Sequence, residues 1–167
     1  MNENEDINDL ITTKIEVSEE EKLEFYKSFL ADKPYTGTEK LFDGQFTVQY
    51  RTLTVKQSAD VFEQLRKDQM TNDITNDASY MMALTNYRLG QAVKSINGVD
   101  FLPEITAETH KMKAEDGNSY IRAKAAIFNE WPVFKLSAFA EGLKTFEDKM
   151  VHMTKEIQTP NFWKAAQ

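Results

Sequence analysis

The sequence predicts an α+β fold that is predominantly helical: one N-terminal β-hairpin, then a helical bundle with a long C-terminal helix. Three observations carry this. Phe46, Val48 and Tyr50 alternate with Thr47, Gln49 and Arg51 directly after Asp43-Gly44, the period of a half-buried strand behind a tight turn. Leu136, Phe139, Leu143, Phe146, Met150, Met153 and Ile157 recur at alternating intervals of three and four, the seam of a helix laid along another helix. Ser18 with Glu21 and Thr54 with Gln57 have the spacing of capping boxes, in which each end satisfies the other's free N–H.

Taken in order, residues 1–17 lack a sustained apolar period and read as a flexible acidic arm. A single globular domain is expected over 18–167. Ser18 and the three glutamates behind it start a helix over about 18–32, with Leu23, Tyr26 and Leu30 on one face. Pro34, Thr36 and Gly37 break it. The hairpin occupies about 40–53, with Asp43-Gly44 as a type I′ turn. A helix over 55–70 carries Ala59, Phe62 and Leu65.

After a polar break at 71–76, a helix over 77–96 presents Met82, Thr85, Leu89, Ala92, Val93 and Ile96 as one stripe. Tyr80, Leu84 and Tyr87 widen it, as in a helix touched on more than one side. Asn97-Gly98 is read as its end, with Gly98 in the left-handed position after a helix. Residues 99–102 are too few to assign, and 106–114 form a short helix or a loop. A helix over 119–131 aligns Ile121, Ala125, Phe128 and Trp131 and stops at Pro132. The long helix then runs over 133–157, with Gly142 beside its seam. The end of the chain is a non-helical tail with the adjacent aromatics Phe162 and Trp163.

The 167 residues carry a formal charge of −7. Residues 1–24 hold nine acids against Lys14 and Lys22, which accounts for all of it; eighteen acids and eighteen bases balance in the remainder. A neutral body with an acidic arm is a poor phosphate binder, so no nucleic-acid partner is expected. No apolar run approaches the roughly 20 residues that span a bilayer, and no membrane partner is expected. Residues 1–10 have neither a basic nor an apolar segment of signal-peptide type, which points to the cytoplasm.

No constellation for chemistry is found. The chain has no cysteine, and its six glycines form no phosphate-binding loop. His110 and His152 lie outside metal-ligand spacings. The pairs Glu115-Asp116 and Glu147-Asp148 diverge by about 100° on a helix and do not converge on one substrate. No catalytic residue, cofactor-binding residue or metal ligand is therefore expected. The seam is either ordinary core or, in part, a surface for a partner helix. On the second reading the binding residues are Phe146, Met150, Met153, Ile157, Phe162 and Trp163, an adaptable methionine and aromatic surface at the far end of the chain.

The order of parts carries a resemblance. Phe42-Asp43-Gly44-Gln45-Phe46-Thr47-Val48-Gln49-Tyr50-Arg51-Thr52-Leu53-Thr54 leads into a helix, followed by Asn86-Tyr87-Arg88-Leu89-Gly90, Ser95-Ile96-Asn97-Gly98 and a C-terminal helical pair. This resembles the tail-assembly chaperones and baseplate-assembly proteins of long-tailed bacteriophages, over roughly residues 40–163. The resemblance implies a non-enzymatic tail-assembly chaperone in the host cytoplasm, binding the helical tape-measure protein and tail tube or baseplate subunits, with self-association as a further partnership. The alternatives are a structural subunit retained in the virion, in the baseplate, tail tip or connector, and a small host-directed regulatory binding protein.

Overall fold

The structure is a computed structural model that describes residues 15–101 and 117–159, with only the backbone at 117–119. The expectations for residues 1–14, for 102–116 and for the tail with Phe162 and Trp163 lie outside the described residues. Within them the fold is α+β: five helices and one four-stranded antiparallel sheet. The elements are α1 (Glu19–Leu30), β1 (Thr36–Leu41), β2 (Phe46–Arg51), α2 (Val55–Met70), α3 (Asp77–Ala92), β3 (Val93–Ile96), β4 (Val99–Asp100), α4 (Gly117–Asn129) and α5 (Val133–Ile157). No described helix is long and apolar enough to cross a membrane.

Local chemistry places both ends of α1 and α2 and the start of α3. Both expected capping boxes form, at Ser18–Glu21 and Thr54–Gln57, and a third at Asn76–Ser79 opens α3. At the other end of α1, Asp32 takes φ +53, its N–H reaches the Phe29 carbonyl, and the Lys33 N–H reaches that of Ser28. The chain uses the same pair of bonds after α2: Asn72 has φ +59, and Asp73 N–H meets Asp68 O at 2.8 Å. These are Schellman closures built with Asp and Asn where glycine is the usual residue.

The hairpin is longer than the sequence suggests and starts earlier, at Thr36, because Gly37 lies in β1. The register runs from Thr36↔Arg51 to Leu41↔Phe46. A Cβ at Gly37 would stand 2.8 Å from the Phe146 ring, so this glycine marks a close approach of strand to helix. Asp43 and Gly44 have φ +53 and +85, and Gln45 N–H bonds Phe42 O, as a type I′ turn requires. Phe42 is also left-handed, at φ +52.

The main correction concerns residues 93–96. They do not extend α3 but form β3, paired antiparallel with β2 through Val48↔Ile96 and Gln49↔Ser95. Asn97-Gly98 is a turn joining Ile96 to Val99 in β4, not a helix cap. The free edge of β2 offers hydrogen bonds to a β-branched segment, and these outweigh one more helical turn. Arg51 Nε holds the Gln91 carbonyl at 2.8 Å where helix becomes strand.

The principal core lies between the sheet and the seam of α5. Phe139, Phe146 and Met153 are fully buried with Val48, Tyr50 and Leu89. Phe25, and not Leu23 or Leu30, is the buried residue of α1; it meets Tyr35 edge-on, and Tyr35 stacks on Phe146 at 5.8 Å. Val17 also packs on this core, so the end of the expected arm belongs to the body. A second cluster joins α2, α3 and α4 through Val61, Leu65, Ile74, Tyr87, Ile121 and Ala125. Phe62 and Met82, expected inside, are exposed.

Candidate functional site: an open cleft among three helices

The partner-binding residues expected on α5 are placed differently from one another. Phe146, Met153 and Ile157 are buried in the chain's own core, and Met150 is half-buried against it. The sheet and α1 cover the three buried side chains, and Met150 keeps part of its surface accessible. His152 is partly exposed, with Nε2 3.2 Å from Glu156 Oε1.

A well-formed concavity lies elsewhere, over the second core cluster. It is an open cleft of about 650 Å³ bounded by α3, α4 and the turn after α2. Ala83 from α3 and Ala123 and Ala126 from α4 line it with small apolar surface, and Met82, 46 % exposed, lines its α3 side. The chain reaches this place through the Asn72 turn. That turn returns Asp73 and Ile74 over the end of α2, where both N–H groups bond Asp68 O.

Polar groups sit within the apolar lining. Asp68 is 2 % exposed; its Oδ1 accepts from Gln64 Nε2 at 2.6 Å and its Oδ2 from the Tyr87 hydroxyl. Burial and the Asp68 carboxylate push the Tyr87 phenol well above the usual tyrosine range. Arg122 stands between two carboxylates, with Nε 3.8 Å from Asp68 Oδ1 and Nη2 3.2 Å from Asp73 Oδ2. Asp73 Oδ2 also accepts from Thr71 Oγ1 at 2.8 Å. Asn86 Nδ2 donates to Asn129 Oδ1 at 3.0 Å, while Asn86 Oδ1 is buried without a hydrogen-bond partner.

The cleft thus combines a small-residue lining, an exposed methionine, and carboxylate acceptors that share the Arg122 guanidinium. The Ser79 hydroxyl is engaged in capping α3. Among the described residues no three His, Asp or Glu side chains gather to hold a metal ion. Sequence reasoning missed the cleft. The available signals were Asn86 interrupting the apolar stripe of α3, Gln64 and Asp68 on the same face as Val61 and Leu65, and the run of alanines in α4.

Fold and site together define the chain as an α+β body carrying an open cleft on its helical side. No family model, no curated protein and no solved structure matches the chain.

Proposed function

We propose that this protein is a non-enzymatic binding factor of phage tail assembly that holds a helical segment of the tape-measure protein in the cleft between α3 and α4. The single observation that supports this reading is the cleft itself: open and helix-lined, with Ala83, Ala123 and Ala126 in its walls and Met82 beside them. Such a surface suits the apolar face of a partner helix, since small residues permit close approach and methionine repacks around different side chains. The acidic first 24 residues, with nine acids against two lysines, keep a loaded, aggregation-prone complex soluble through net charge.

Co-expression with the tape-measure protein, followed by pull-down, tests the proposal. Ala126→Trp places a large ring in the cleft from an exposed position, so the fold should stand and capture should be lost. Undiminished capture by folded Ala126→Trp would remove the cleft from the proposal. Abundant copies in purified virions would replace a chaperone with a structural subunit.

A further inference from the structure

The lining of the cleft is selective in charge as well as in shape. Its charged side chains are Asp68, Asp73 and Arg122, so carboxylates outnumber cations by one. Asp68 is engaged by Gln64 and Tyr87 and is nearly inaccessible. Asp73 keeps a side chain 48 % exposed and shares Arg122 with Asp68. A second, independent feature points to an incoming donor. Asn86 lines the cleft, is 4 % exposed, and its Oδ1 lacks a hydrogen-bond partner. Leaving such an acceptor buried and unpaired is costly, and the cost is recovered when an N–H group reaches it.

We infer that the cleft recognises a basic side chain, lysine or arginine, carried on the apolar face of the partner helix. This rests on the helix-binding reading above. The aliphatic stem lies along Ala83, Ala126 and Met82, and the charged head meets Asp73 and the side-chain Oδ1 of Asn86. Long basic side chains suit such a place because their methylenes cover apolar surface while the head keeps polar partners. An acidic side chain at the same position faces the excess carboxylate and has only the shared Arg122 to meet.

The probes are three amphipathic peptides of about 20 residues, long enough to hold helix. They are identical except for lysine, norleucine or glutamate at the centre of the apolar face. Titrated onto the full chain, the lysine peptide should bind about fivefold tighter than norleucine, the scale of a half-exposed ion pair, and glutamate weakest. Raising salt from about 50 mM to about 500 mM should compress the lysine preference on the unmodified chain. Asp73→Asn should reduce it to under about twofold while circular dichroism remains unchanged. Equal binding of the lysine and norleucine peptides, both blocked by Ala126→Trp, would overturn the basic-residue inference and leave the helix-binding cleft in place. A lysine preference insensitive to both salt and Asp73→Asn would also overturn it. Binding of none of the three peptides would overturn cleft and inference together.

Discussion

The Tyr50 hydroxyl, from the middle of the sheet, donates to the backbone carbonyl of Phe139 within α5 at 2.8 Å, in a fully buried contact. Gly142, a turn further along α5, makes room for it. A Cβ there would stand 2.8 Å from the Tyr50 hydroxyl oxygen and 2.8 Å from Leu41 Cδ2. The tyrosine thus sets how closely the long helix lies on the sheet, and the glycine permits that distance.

Gly142→Ala is therefore expected to destabilise the protein by about 1–3 kcal/mol, although helix propensity alone favours alanine by about 1 kcal/mol. Tyr50→Phe removes one of the two obstructing atoms, so Gly142→Ala should cost less in that background. Denaturant melts of the four chains of this double-mutant cycle provide the check. A stabilised Gly142→Ala single variant would mean that the helix has slack to move away from the sheet.

Lys149 joins three elements. Its Nζ lies 3.1 Å from Glu21 of α1 and 2.9 Å from Glu39 of β1, with only 16 % of the side chain exposed. Burial raises the Glu39 carboxyl above its ordinary range against the pull of Lys149. Burial also opposes the charge on Glu21, but the Ser18 N–H and Lys149 outweigh it and hold Glu21 low. Lys149→Met should cost about 2–4 kcal/mol, mostly because it strands the Glu39 charge. Adding Glu39→Gln should recover much of that loss. Thermal melts of the single and double variants decide it, and a double variant no more stable than Lys149→Met would rule out the stranded charge as the cause.

Stability should also decline in alkali, and several groups give the same sign. Burial raises the phenols of Tyr35, to about 12, and of Tyr50 and Tyr87 further, from the ordinary 10.0. Burial opposes the charge on the Lys149 ammonium, but its two carboxylate partners outweigh this and raise it above 10.5. In each case the unfolded chain loses its proton first as pH rises, so the folded state holds more protons and its advantage shrinks. Chemical denaturation should give constant stability between about pH 7 and 9 and a steady fall from about pH 10 upward. Tyr87→Phe should make the fall shallower. A flat profile to pH 11 would contradict the burial of these phenols.

The cleft depends on a turn that an asparagine makes. Asn72 holds φ +59 so that Asp73 and Ile74 return over α2. Asn72→Gly should be at least as stable as the natural chain, whereas Asn72→Val should lose more than about 1 kcal/mol, because a β-branched residue resists positive φ. If the turn positions Asp73 for a partner, Asn72→Val should also weaken capture of the lysine peptide by the fraction that remains folded. Equal stability of the Val and Gly variants would show that the left-handed turn is not required.

The sequence by itself determined the features whose causes are local or periodic. The capping boxes of α1 and α2 are complete within four residues. The turn at Asp43-Gly44 depends on residues that tolerate positive φ, and the seam of α5 is a repeat that can be counted. Only the tertiary structure decided what depends on partners distant in the chain. Residues 93–96 continue the apolar period of α3 and become a strand because β2, more than forty positions earlier, has an edge to fill. Asn97-Gly98 suits a helix end or a hairpin equally, and that pairing made the choice. Phe146, Met153 and Ile157 have the composition of a binding surface, but the sheet and α1 cover them. Asp68 and Asn86 are polar residues of ordinary appearance until Tyr87 and Asn129 fold against them. A buried polar group costs free energy until its partner arrives, so a cleft built from such groups is defined by long-range contacts that no local pattern records.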